Sequence, residues 1–298
     1  MKIALSICFL IAIYSTVLGA ELRVVSLHPL IGDLLRQVGG EKVEVIDLIG
    51  SNGDPHSFEP QAGDLADAEG AEIFFASGMG LENYLPKLEA ILDGKSKIVE
   101  VGSTLPALEG SCDHAEEHDE HEHHHAHEVD PHWWHSVDLF RRAVTIVSKE
   151  LAEARPENKS VYEENAAAYR KNLDALEKWV RRELIRIPRD QRKLATAHDA
   201  FQYFCVAYDF KSYSVQGLNR EQMPDAVKLA ELIATLKADR VVAIFPEKES
   251  NPKMLLSLTK DTGIRLGGEL VADGRGMPSY EKMMKHNVET IVKGLSVK

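Results

Sequence analysis

At 298 residues and a formal net charge of −12, the chain is long enough for two lobes of ordinary size. It is too acidic for nucleic acid or an anionic membrane to be its main partner. Its three cysteines make no disulfide framework, and past residue 20 no apolar run approaches the length of a membrane helix.

Residues 1–20 read as an export signal: Lys2, an apolar run from Ile3 to Val17, then the small residues Gly19 and Ala20. Cys8 sits inside that run and no cysteine directly follows Ala20, which argues against a lipid anchor. The expectation is a soluble monomer in the periplasm, cleaved near Ala20. Cys112 and Cys205 remain; a bridge between them, or Cys112 as a spare thiolate ligand, both stay open.

From Glu21 short β-rich runs alternate with helical ones. Strands are predicted at Leu22–Leu27, Val43–Ile49, Ile73–Ala76 and Lys97–Val101, with helices at Ile31–Val38, Leu65–Ala71 and Leu81–Leu92. Strands separated by helices predict βα units around a mostly parallel sheet. The run from Cys112 to Asp130 then holds eight acidic residues, seven histidines and no lysine or arginine. It has too little apolar surface to offset the entropy of ordering, so it reads as a mobile loop. Beyond it, Val137–Glu153 has helical periodicity, with Phe140, Val144, Val147 and Leu151 on one face.

Pro156 separates that helix from a longer amphipathic one over 157–187, which Pro188 stops. Two readings apply to it: a rigid spacer between lobes, or an ordinary helix packed within one domain. The βα alternation then resumes. Strands are predicted at Leu194–Ala197, Ser212–Val215, Val241–Phe245 and Ile264–Leu266. Helices are predicted at Phe201–Ala207, Ala226–Leu236, Pro252–Thr262 and Tyr280–Leu295. The fold class is α/β with two βα lobes joined by one long helix. The division is a signal at 1–20, an N-terminal lobe at 21–156 with the His-rich loop 112–130, the linking helix, and a C-terminal lobe at 188–298.

Imidazole is the commonest metal-binding side chain, and four metal-competent residues fall where ligands gather in α/β sheets, beyond the carboxyl ends of strands. His56 follows the second strand and His132 the fourth; His198 and Asp273 follow the first and last strands of the second half. Two facing lobes would bring them into one cleft. Taken singly, a loop histidine is usually a surface residue, and Asp273 before Gly274 is ordinary turn chemistry. His132 stands apart because Asp130-Pro131 fixes its backbone and Trp133-Trp134 gives it an apolar wall. His28 reads as part of the start of the first helix, and His286 as part of the last.

The segments Gly53-Asp-Pro-His-Ser-Phe-Glu-Pro60, Asp130-Pro-His-Trp-Trp134, Ala197-His-Asp-Ala-Phe201 and Phe245-Pro-Glu247 occur in this order. With the long helix and the closing Ser279-Tyr-Glu-Lys-Met-Met-Lys-His-Asn287, the chain resembles the metal-binding solute-binding proteins of ABC importers, over essentially all of its mature length. The resemblance implies two βα lobes with the metal between them, ligands at His56, His132, His198 and Asp273, and a membrane permease as partner. Members favouring manganese often carry a carboxylate where this chain has His198. Zinc importers usually carry histidine there, and many also carry a His-rich acidic loop like that at 113–127. Two departures stand out: His135-Ser136 replaces an apolar-then-acidic pair, and Asp273 lies in Ala-Asp-Gly rather than Asp-Ser. His135 and Glu247 are candidates for a supporting shell.

Three imidazoles and one carboxylate suit tetrahedral zinc and leave manganese and ferrous iron open. Two other function classes remain. One is a metal buffer or sensor working through the tract histidines His114, His118, His121, His123, His124, His125 and His127. The other is a zinc hydrolase, against which stand four protein ligands that close the shell to water, and the absence of His-Glu-x-x-His and Gly-x-Ser-x-Gly.

Overall fold

The computed structural model describes residues 22–50, 53–110, 129–218, 224–248 and 252–296. The signal segment, Cys112 and the seven tract histidines lie outside the described residues.

The N-terminal half holds four parallel strands, β1 (Leu22–Ser26), β2 (Val43–Asp47), β3 (Ile73–Ala76) and β4 (Lys97–Glu100), in the order β2-β1-β3-β4. The C-terminal half repeats this arrangement with β5 (Lys193–Thr196), β6 (Lys211–Ser214), β7 (Ala243–Phe245) and β8 (Arg265–Leu266), in the order β6-β5-β7-β8. The two-lobe α/β expectation therefore holds. In each sheet the order reverses beside the first strand, the switch point where α/β sheets leave a crevice at the carboxyl ends of their strands.

The helices are α1 (Pro29–Gly39), α2 (Ala62–Asp67), α3 (Leu85–Leu92), α4 (Val137–Ala154), α5 (Lys159–Leu184), α6 (Gln202–Tyr208), α7 (Ala226–Ala238), α8 (Pro252–Thr262) and α9 (Tyr280–Leu295). In α1, Leu30, Ile31, Leu34, Leu35 and Val38 form one buried stripe at helical spacing. Pro29 occupies its first turn, where the missing N–H goes unused.

Two helices start three or four residues away from their sequence-based ranges. α2 starts at Ala62 because the Gln61 N–H donates to the Asp64 side chain at 2.8 Å, half of a reciprocal capping box. α3 starts at Leu85 rather than Leu81 because residues 77–82 wrap around a carboxylate instead. Glu82 is buried and accepts from the backbone N–H of Ser77 at 2.6 Å and of Gly78 at 3.0 Å. Gly78, Met79 and Gly80 in that turn all have positive φ.

The 26-residue α5 is roughly 39 Å long at 1.5 Å per residue. It buries Tyr162, Ala166, Tyr169, Leu173, Leu176, Val180 and Leu184 along one stripe. That stripe lies against α1 and α4 from the first half and α9 from the second. One apolar core runs from Leu22 and Val24 through α5 to Val288 and Ile291, and a smaller cluster sits on the far side of each sheet. Among the described residues no helix is long and apolar enough to cross a membrane.

Candidate metal centre

His56, His132, His198 and Asp273 each offer a donor atom to one point, with all four atoms within 4.8 Å of one another. The three imidazole rings form a triangle with centroid separations of 5.1, 5.3 and 5.7 Å. Nε2 of His56 lies 3.1 Å from Nε2 of His132 and 3.7 Å from Oδ1 of Asp273. A tetrahedron with ligand distances near 2.0–2.1 Å has edges of roughly 3.3–3.4 Å, a value that the 3.1 and 3.7 Å separations bracket.

Each ligand is set by its own local chemistry. His56 and His132 both sit in the tripeptide Asp-Pro-His. Proline has no N–H, so the first backbone donor that can reach the aspartate side chain belongs to the histidine. Asp54 Oδ1 accepts from His56 N at 3.0 Å, and Asp130 Oδ1 from His132 N at 2.9 Å. Asp130 Oδ1 also accepts from His132 Nδ1 at 2.8 Å, which leaves the lone pair on Nε2, facing the cluster. Trp133 and Trp134 follow in a short 3-10 turn and are fully buried. The Nε1–H of Trp133 donates to Ser77 O at 3.2 Å, and that of Trp134 to Ala272 O at 2.7 Å.

His198 leaves the end of β5, and Glu247 lies just past β7, its neighbour across the switch point. Glu247 Oε1 accepts from His198 N at 2.9 Å while Oε2 pairs with His198 Nδ1. The buried Nε2 of His198 therefore keeps its lone pair and has no hydrogen-bond partner within the described protein. Asp273 follows β8 on a segment held by Asn287 of α9, whose side chain exchanges hydrogen bonds of 2.8 Å with Val271 N and O. Gly274, at φ +76°, turns that segment against α1; a Cβ there would stand 2.5 Å from Leu30 Cδ2.

His132, His198 and Asp273 are buried, whereas the His56 side chain is 12% exposed. Beside it opens a cavity of about 850 Å3 walled in part by Asp54, Met79, Glu100, Leu105 and Pro131. His135 is buried against Phe201, ring centroids 4.2 Å apart. It stands outside the converging set. His286 bonds to Glu269 O at 2.9 Å on the surface of α9, away from the cluster. His28 caps α1, its Nδ1 accepting from Leu30 N at 3.2 Å. Cys205 is a buried thiol whose pKa burial pushes up to about 12, the character of a core residue rather than a ligand.

Sequence reasoning missed Asp130 as the group that orients a ligand ring. The signal was present: Asp-Pro-His occurs twice, at 54–56 and 130–132, and both histidines belong to the cluster.

Residues 24–294 match the family described as "ZnuA: Zinc-uptake complex component A periplasmic". The chain belongs to this family. Among its relatives, the manganese-binding lipoprotein MntA of Halalkalibacterium halodurans is 30% identical over 285 residues, 93% of this chain and 90% of that one. The metal ABC transporter substrate-binding lipoprotein SloC of Streptococcus mutans is 29% identical over 291 residues, again 93% and 90%. Among solved structures, the periplasmic zinc-binding protein TroA of Treponema pallidum superposes with a TM-score of 0.81 at 29% identity, covering 94% of this chain and all of that one. Members of the ZnuA family are metal-binding transport proteins, as the motifs at His56, His132 and His198 imply.

Proposed function

We propose that this chain captures one divalent transition-metal ion from the export compartment and passes it to an ABC-type permease, with His56, His132, His198 and Asp273 as ligands. The observation that carries the reading is the convergence of three imidazole nitrogens and one carboxylate, drawn from both halves of the chain, to within 4.8 Å of one another. Zinc is the favoured cargo because the donor set is nitrogen-rich and four in number; manganese and ferrous iron suit the same donors less well. Asp130 and Glu247 fix the ring tautomers, a role that commonly governs metal affinity, and His135 adds a neutral wall behind His132. His56, beside the open cavity, is the first ligand an incoming ion meets.

The domain reading goes with this: a leader at 1–20 removed on export, lobes at 21–156 and 188–298, and a stiff linking helix at 157–187. The protein then acts as a periplasmic monomer with no catalytic step, the four-ligand shell leaving no position for a reactive water. His114, His118, His121, His123, His124, His125 and His127 serve as a weak collector that raises the local metal concentration.

Competitive zinc titration with a chromophoric chelator tests the reading. One tight ion per wild-type chain is expected, weakened at least about tenfold by His56→Ala, His132→Ala, His198→Ala or Asp273→Ala singly. Unchanged affinity in the His198→Ala and Asp273→Ala variants would overturn it.

A further inference from the structure

Tyr203 belongs to α6 in the C-terminal half, yet its hydroxyl is bonded to the N-terminal half. The Leu108 N–H donates to its oxygen at 2.9 Å. That leaves the hydroxyl proton to be donated in turn. Two acceptors are in reach, the Asp130 carbonyl at 3.1 Å and the Met79 sulfur at 3.6 Å, and a thioether is the weaker of the two. Burial pushes the hydroxyl up to about 12, so it keeps that proton at neutral pH.

Asp130 is the residue whose carboxylate turns His132 toward the cluster. Its own N–H donates to Leu108 O at 2.9 Å, and the next pair along, Glu109 and Val129, forms an antiparallel bridge. Tyr203 therefore bonds to both chain segments that meet there. Two residues before it, Phe201 packs on His135, and α6 lies against the short turn Trp133–His135. The run 130–135, which carries His132, is thus gripped at both ends by residues 201–203. That gripping segment is itself fastened beside His198. The Asp199 N–H donates to Gly217 O at 2.9 Å, and the Asp199 carboxylate accepts from Gln202 Nε2 at 2.6 Å. The rings of His132 and His198, one from each half, stand 5.3 Å apart.

We infer that Tyr203 is a positioning residue for the metal site: its hydroxyl holds Asp130, and with it His132, at a fixed spacing from His198. This rests on the ligand assignment above. Tyr203 touches no metal itself. Its bond makes the spacing between ligands of the two halves a property of α6, so the metal-free protein presents the pair already set and less is left to order on capture.

The test compares two substitutions on one helix. Tyr203→Phe keeps the ring and removes only the hydroxyl. Tyr208→Phe is the control, because the Tyr208 hydroxyl donates to Glu177 of α5 at 2.6 Å, a residue that carries no ligand. Both are expected to lower the denaturation midpoint of the metal-free protein, since each leaves a partner unpaired. Only Tyr203→Phe is expected to weaken zinc, by about tenfold, in competition with a chelator. In a His198→Ala background, where the spacing no longer matters, the same substitution is expected to cost less than about threefold. With cobalt loaded in place of zinc, the visible d–d bands, which report donor geometry, are expected to shift in Tyr203→Phe and not in Tyr208→Phe. A zinc loss no larger in Tyr203→Phe than in Tyr208→Phe, or equal losses in the wild-type and His198→Ala backgrounds, would overturn the inference while leaving the four-ligand site intact. If His132→Ala alone left zinc affinity unchanged, the ligand assignment would fall and this inference with it.

Discussion

Glu247 holds His198 at two points, its Oε1 on the backbone N–H at 2.9 Å and its Oε2 on ring Nδ1. Asp130 does the same for His132 in the other half, at 2.9 and 2.8 Å through a single oxygen. A carboxylate that grips both the backbone and the ring fixes where the histidine sits and which nitrogen faces the ion. Glu247→Gln replaces one acceptor oxygen with a donor amide and so cannot serve both N–H groups. It is expected to weaken zinc by about 10–100-fold, as is Asp130→Ala, which removes the one oxygen that serves both His132 donors, in competition with a chelator of known affinity. Wild-type affinity in both variants would mean that ring orientation is set by packing alone.

Selectivity is expected to follow His198. Exchanging an imidazole for a carboxylate makes the donor set harder, which suits manganese better than zinc. His198→Glu is expected to lower the zinc-to-manganese affinity ratio by at least about tenfold, measured by titrating both metals against the same indicator. An unchanged ratio would place selectivity outside these four side chains.

The contact between halves is expected to weaken when Trp134 is cut back. Its Nε1–H reaches Ala272 O at 2.7 Å, and Tyr280 of α9 donates its hydroxyl to Trp134 O at 2.8 Å. Trp134→Phe leaves a buried carbonyl without its donor, at a cost of about 1–3 kcal/mol, readable as a lower denaturation midpoint of the metal-free protein. With α1, α4 and α9 all against α5, metal loading is expected to change the small-angle scattering profile little, a small tilt rather than a hinge closure. A large compaction on loading would contradict this.

Acid is expected to weaken the metal-free fold through its buried neutral histidines. Burial pushes His135 down to about 3 from an ordinary 6.5. Below about pH 6.5 the unfolded chain takes up a proton that the folded chain refuses until near pH 3, so stability falls as pH drops through that window. His135→Phe removes this group and can fill its place beside Phe201. Relative to wild type, the variant is expected to gain about 1.4 kcal/mol per pH unit below pH 6.5, or about 2 kcal/mol at pH 5. Denaturant titrations at pH 7 and pH 5 check it; a pH-independent difference would contradict it.

Much of this was legible in the chain. The βα alternation marked the eight strands of the described residues, because short β-prone runs alternate with helical ones between turn residues. His56, His132 and His198 stood out by position after strands and by motif. What stayed hidden depends on partners far away in sequence. Glu82 dismantles the first turn of a plausible helix by taking two backbone donors from Ser77 and Gly78, and nothing in Leu81–Leu92 reveals it. Likewise nothing near Leu30 in the chain reveals that Gly274, 244 residues later, is pressed against it.

The most direct test of the central claim is X-ray absorption at the zinc edge on protein lacking residues 113–127, loaded with one equivalent of zinc. Three imidazole nitrogens and one carboxylate oxygen, all at about 2.0–2.2 Å, are predicted. A sulfur scatterer, an all-oxygen six-coordinate shell, or failure of the shortened protein to retain the ion would contradict it.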